Sequence, residues 1–166
     1  RVSGSDPPRH PPSPSASAGQ APRGNERRNI YRDDRDRLRF LEILEEVVVL
    51  RRSILHAWVL MSNHYHLAVE TPQANLVDGM RWLQGTFGAR FNRFRKEHGR
   101  LFQGRYKSLV VDPGEGRGPL CHYIHLNPVK SGFCLQASEW KWSSARFYES
   151  DGEIVDPDLP RITPLP

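Results

Sequence analysis

Leu76, Met80, Leu83, Phe87, Phe91 and Phe94 follow one another at spacings of four, three, four, four and three residues. Only an α-helix carries side chains so spaced on a single face, and the stripe lasts about five turns. Met and Phe at this spacing read as core, so the rest of the chain must supply an apolar surface for the helix to cover. Upstream, the segment Ser53 to Met61, with its apolar run Ala57-Trp58-Val59-Leu60-Met61, and the segment His64 to Glu70 flank the polar pair Ser62-Asn63. Two such segments around a polar dipeptide predict a β-hairpin, closed by Thr71-Pro72. Another helix is predicted from Asp33 to about Val49, where Leu38, Leu41, Leu44 and Val48 share a face and Asp33 and Asp34 suit its positive N-terminal end.

Downstream, Leu101 to Val111 alternates loosely into a strand at Ser108-Leu109-Val110-Val111. The stretch from Asp112 to Gly118 holds three glycines and a proline and reads as loop. Pro119 suits the first turn of a short helix from Leu120 to Leu126. Asn127-Pro128 should end that helix, because a residue before proline is pushed out of the α region. The order helix, hairpin, helix, strand, short helix predicts an α+β fold, an antiparallel sheet covered by helices on one face.

Hydrophobic residues make up 37% of the 166, enough for one core but not for every residue to join it. Residues 1–22 are rich in Pro, Ser, Ala and Gly and cannot offset their ordering entropy by burial, so they are expected to be disordered. Residues 149–166 form an acidic, proline-rich tail, leaving 23–148 as the foldable unit. Cys121 and Cys134 have no paired spacing, so neither a disulfide framework nor a metal knuckle is predicted, and a reducing compartment fits. There is no apolar run of membrane-spanning length and no apolar signal core, so a soluble, cytoplasmic protein without membrane partners is expected. The chain begins at Arg1 rather than Met, so that position need not be the natural start.

The net charge of +5 is unevenly placed. Between Arg81 and Lys107, eight basic residues face the single acid Glu97, leaving +7 locally and −2 over the rest. A focused basic segment is a phosphate-binding signal, although a solvated helix face has the same composition. Along the strand His64-Tyr65-His66, side chains alternate, so the two imidazoles share one side and stand close enough to share a divalent ion. By itself a His-x-His pair is weak evidence and more often has a structural role than a metal-binding one. The short helix adds His122, Tyr123 and His125, with Asn127 four residues beyond Tyr123 near the helix end. A tyrosine beside a metal held by two histidines has the makings of a phosphodiester-attacking nucleophile; an ordinary half-buried tyrosine is the alternative. A structural zinc site using His64, His66 and a cysteine such as Cys121 has no paired ligand spacing to support it.

Several longer runs carry a resemblance. Val59-Leu60-Met61-Ser62-Asn63-His64-Tyr65-His66-Leu67 resembles the His-hydrophobe-His motif of single-tyrosine (HUH, Y1) transposases. Leu101-Phe102-Gln103-Gly104-Arg105-Tyr106-Lys107, Tyr123-Ile124-His125-Leu126-Asn127-Pro128-Val129-Lys130-Ser131-Gly132 and Trp142-Ser143-Ser144 are similar to that family's further blocks, in order. From about Arg23 to Phe147 the chain resembles the IS200-like group, most of all the REP-associated tyrosine transposases. The resemblance implies a ferredoxin- or RNA-recognition-motif-like sheet of four strands, of which the pattern above recovers three. It implies that His64 and His66, with Asn127 one turn beyond the nucleophile, hold Mg²⁺ or Mn²⁺. Tyr123 would attack single-stranded DNA beside a REP-like hairpin, leaving a 5′-phosphotyrosine link and a free 3′-OH. Arg105 and Lys107 would contact the DNA backbone, and Arg81, Arg90, Arg93 and Arg100 would add to the electrostatic attraction. A homodimer or a monomer is the implied assembly, and Tyr65 and Trp58 are expected in the packing rather than as base-stacking platforms.

Two departures from that pattern stand out. Relatives have a strand before the block seen here as Arg23-Gly24-Asn25, central in the sheet and next to the histidine strand. Here residues 12–22 are poor in strand formers and rich in breakers, so the first strand is expected to be degenerate. The glycines before Tyr123 predict a flexible lead into the nucleophile's helix. Both are marks of a degenerating or mis-started gene copy, and they motivate a second reading: a catalytically inactive remnant that still binds structured single-stranded DNA.

Overall fold

The computed structural model describes residues 16–20, 29–112 and 114–149. Nine elements matter here: β1 (Ala16–Gln20), α1 (Asp34–Leu50), β2 (Ile54–Leu60), β3 (Tyr65–Glu70), α2 (Leu76–Arg95), β4 (Lys107–Val111), α3 (Arg117–His125), α4 (Asn127–Lys130) and α5 (Ala145–Glu149). The four strands form one antiparallel sheet in the order β2-β3-β1-β4.

The first strand is therefore present, which corrects the expectation of disorder at residues 16–20. Its register sets Gly19 opposite Leu67 of β3 and Ser108 of β4. A central strand pairs its backbone on both edges, and that double ladder outweighs the weak strand propensity of Ala-Ser-Ala-Gly-Gln. The expectations for 1–15, for the Arg23-Gly24-Asn25 block and for 150–166 lie outside the described residues.

Helices α1 and α2 pair with each other and cover one face of the sheet. Asp33 caps α1 by accepting the Asp36 N–H at 3.1 Å, as a helix start requires. Phe40, Leu41 and Leu44 of α1 and Met80, Leu83, Phe87 and Phe91 of α2 close over Leu55, Trp58, Leu60, Tyr65, Leu67 and Val69 of the hairpin. Trp58 and Tyr65 are buried in the packing as expected. A bulge at His56 shifts the pairing between Leu55 and Ala57, which lets Leu55 face the same side as Trp58 despite their odd spacing.

The stripe on α2 ends sooner than its spacing predicts. Phe94 is 53% exposed, with the guanidinium groups of Arg35 and Arg95 over its ring at 5.3 and 5.1 Å. There cations take the place of apolar neighbours. Among the described residues no helix is long and apolar enough to cross a membrane.

The short helix α3 lies against the opposite face. There Ile124, with Leu120 and Cys121 alongside, meets Ala57, Val59, Met61 and Ala68. Among the described residues this second cluster is small, and its layer leaves part of the sheet open beside α3.

Candidate active site

The open face begins with β3. Because Tyr65, Leu67 and Val69 point into the α1–α2 core, the alternating positions His64, His66 and Ala68 point the other way. The imidazoles of His64 and His66 have ring centroids 5.0 Å apart and meet edge to face. Asn63 Oδ1 lies 2.7 Å from His64 Nδ1, which orients that ring. His66 is 6% exposed, and its Nε2 is buried without a hydrogen-bond partner among the described residues. Burial, with His64 adding to it, holds the His66 imidazole down to about 4. It is thus neutral at physiological pH, with a lone pair available.

Tyr123 comes from α3. Its ring centroid is 6.1 Å from that of His66, and the phenol is 42% exposed. A pocket of about 510 Å³ opens between them and β4, bordered by His66, Lys107, Leu109, Leu120 and Tyr123. Asn127 stands one turn beyond Tyr123, and its Nδ2 donates to the Tyr123 carbonyl at 2.9 Å. That bond uses the amide nitrogen; the oxygen is the atom that suits a hard cation.

In the glycine-rich lead into α3, Asp112 gathers the following backbone N–H groups into a turn. Asp112 Oδ1 accepts the N–H groups of Gly114 and Glu115 at 2.8 and 3.3 Å. Gly116 sits where an added Cβ would fall 2.2 Å from Val111 Cγ1 and 2.9 Å from the Asp112 carbonyl, so glycine is a packing requirement there. The helix already starts at Arg117, inside the stretch expected to be loop. At the other end Asn127-Pro128 does not stop the chain's helical course. Leu126 keeps φ −78° and ψ −6°, and α4 follows with Pro128 in its first turn, where a missing N–H costs nothing.

Beyond α3, the Trp142-Ser143-Ser144 block finds its reason in the sheet. Leu60 N–H donates to the Trp142 carbonyl at 2.8 Å, Val59 and Ser143 form a β-bridge, and Trp58 N–H donates to Ser144 Oγ at 2.9 Å. Ser144 Oγ in turn lies 3.2 Å from the Trp58 carbonyl and 2.9 Å from His125 Nε2. With its single proton directed at the carbonyl, the hydroxyl accepts from His125, which ties the end of α3 to β2. His125 belongs to this brace rather than to the His64–His66 pair.

Of the basic residues predicted to meet DNA, only Lys107 borders the pocket. Arg81, Arg90 and Arg93 are on α2, in the layer covering the other face. Arg81 faces Asp78 at 3.7 Å, Arg90 faces Glu46 at 3.8 Å, and Arg93 joins Arg35 and Arg39 along the α1–α2 groove. Arg100 and Arg105 are exposed in the segment between α2 and β4. Arg95 serves the fold, bonding Asp33 and the buried Asp36 at 2.6 and 2.9 Å. One group escaped the sequence reading: Lys130, whose Nζ lies 4.7 Å from the Tyr123 ring centroid. Its signal was its place inside the block that begins at Tyr123, where no role was assigned to it. Among the described residues no three His, Cys, Asp or Glu side chains are placed to hold a metal together.

A four-stranded antiparallel sheet with two helices on one face, and with paired histidines and a helix-borne tyrosine on the other, defines the class. The model of the IS200-like transposases matches residues 22–127, and the chain belongs to that family. The fold is shared with a REP-associated tyrosine transposase bound to a REP hairpin, at 19% identity and a TM-score of 0.71 over 98% of this chain and 95% of that one. A crystal structure of a candidate transposase from Deinococcus radiodurans is similar at 20% identity and a TM-score of 0.48, over 72% of this chain and 95% of that one. No curated protein sequence matches.

Proposed function

We propose that this transposase cleaves and rejoins single-stranded DNA beside a REP-like hairpin, with Tyr123 as nucleophile and His64, His66 and Asn127 holding Mg²⁺ or Mn²⁺. One observation carries the reading: a buried His66, whose Nε2 has no partner among the described residues, stands between His64 and Tyr123 at the edge of an open pocket. A buried ring nitrogen without a partner is costly unless something binds it, and neutral imidazole suits a divalent ion. The Asn127 amide oxygen adds a hard donor. When bound, the ion would supply Lewis-acid polarisation of the scissile phosphate.

The remaining chemistry belongs to the chain. The Tyr123 oxygen forms a bond to phosphorus and the bond from phosphorus to the 3′ oxygen breaks. The phenolic proton ends on the departing 3′-OH, and the 5′ side stays attached to the protein. The reverse reaction with another 3′-OH rejoins the strand. His125 and Ser144 hold α3 against β2, which keeps the nucleophile from drifting off the histidine face. Lys107 meets a backbone phosphate entering the pocket, and Arg105, Arg100 and the α2 arginines attract the DNA at longer range.

The test is a denaturing gel of protein incubated with Mn²⁺ and a labelled hairpin oligonucleotide taken from the repeats flanking the gene. A covalent adduct that disappears with Tyr123→Phe or with chelator supports the reading. Tight, salt-sensitive binding without adduct in any divalent metal replaces it with the inactive, DNA-binding remnant.

A further inference from the structure

After α3 the chain continues into α4. α4 carries Lys130 over the Tyr123 ring, and Gly132, at φ +73°, closes the helix. In that closure the Gly132 N–H donates to the Val129 carbonyl and the Phe133 N–H to the Pro128 carbonyl, each at 2.9 Å. Phe133 is thereby laid on Trp140, with ring centroids 5.2 Å apart and planes 23° apart. Trp140 is itself pinned: its indole Nε1 donates to the Leu60 carbonyl at 3.0 Å, and its ring packs on the small cluster beneath α3. Yet Phe133 remains 51% exposed. A phenyl ring held flat on a fixed indole has one face covered and the other presented to water, and the nearest cation along the chain is the lysine beside the nucleophile.

Resting on the function proposed above, we infer that Phe133 is a stacking platform for one nucleobase of the single strand entering the site, with Lys130 neutralising a phosphate of that strand. Stacking suits any base, since every base has a π-face, and an aromatic ring beside a cation is the pairing that single-strand binders use. The positive charge of Lys130 and the continuity of α4 with the nucleophile favour a nucleotide over a protein segment as occupant.

The experiment measures affinity of the full chain for fluorescent hairpin oligonucleotides with a single-stranded flank, each carrying one abasic site at a different flank position. Wild type is compared with Phe133→Leu, which keeps an apolar cover on Trp140, and with Phe133→Trp, which restores a π-face. At one flank position, loss of the base should weaken wild-type binding about five- to a hundredfold. Phe133→Leu should show that weakening on the intact oligonucleotide with no further loss on the abasic one, and Phe133→Trp should bind like wild type. Lys130→Gln should lower the slope of log affinity against log salt by about 0.7. Equal abasic penalties in wild type and Phe133→Leu at every position would overturn the inference and leave Phe133 a cover for Trp140. Wild-type protein that binds no hairpin at all would overturn both this inference and the proposed function, whereas hairpin binding with equal penalties overturns this one alone.

Discussion

On the face of the sheet that α1 and α2 cover, Phe40, Trp58, Tyr65 and Phe87 are each no more than 1% exposed, whereas on the opposite face Tyr123 is 42% exposed and a pocket of about 510 Å³ stays open. The covered face is built from large aromatic groups meeting edge to face, such as Phe40 and Phe87 at 5.1 Å. The open face has a small cluster of Ala57, Val59, Met61, Ala68 and Ile124, helped by backbone hydrogen bonds to the Trp142-Ser143-Ser144 segment. The larger core lies in one layer, and on the other a buried imidazole has a nitrogen without a partner among the described residues and a phenol is exposed. Such groups are costly to a fold and useful to a reaction.

Substitutions on the two faces should therefore separate stability from activity. Phe87→Ala removes the centre of the covered layer and should cost about 3–5 kcal/mol, a large share of the stability of a domain this size, taking DNA binding with it; chemical denaturation would show it. Tyr123→Phe should do the reverse, abolishing the covalent adduct while stability changes by no more than about 0.5 kcal/mol. A marked fall in stability with Tyr123→Phe would mean that the open face also supports the fold. Gly116→Ala lies between the two extremes. Its Cβ has no room beside Val111, so about 1–3 kcal/mol of strain is expected. The rate of adduct formation should drop more than hairpin affinity, because α3 moves while the basic surfaces do not.

The smallest effect belongs to Asp33, which caps α1 from a half-exposed position. Its hydrogen bond with Arg95 holds the carboxyl below the usual range. A carboxyl depressed in the folded state contributes stability above its unfolded value, about 3.9, and loses it as pH falls through the folded value. Asp33→Ala should thus cost about 1 kcal/mol near neutral pH, chiefly the cap, and less at acid pH. Thermal melts at pH 7 and pH 3 would check the sign, and an equal cost at both would remove the ionised carboxylate from the account.

How far the covered face could be read from the sequence follows from periodicity. The α2 stripe, the α1 stripe and the hairpin around Ser62-Asn63 each repeat with the period of their own backbone, and each was placed within a residue or two. The same alternation put His64 and His66 on one side, and motif resemblance singled out Tyr123. The elements that local pattern misjudged are held by partners distant in the chain. Ala16–Gln20 has no strand-forming composition, and β3 and β4 on either edge make it a strand. The glycines before Tyr123 read as loop, whereas Asp112 accepts hydrogen bonds across that stretch, Gly116 meets Val111 closely, and the helix starts at Arg117.

The sequence by itself determined the helix faces, the hairpin, the placing of the two imidazoles on one side and the block that contains Tyr123, because periodicity and motif are local properties. Only the tertiary structure decided that the basic segment from Arg81 to Lys107 is divided between two faces of the sheet, that Lys130 lies over Tyr123 and Phe133 on Trp140, and that His125 braces α3 through Ser144. Those relations depend on which segments the sheet order brings side by side, and burial energy summed over the whole domain selects that order, not the preference of any one stretch.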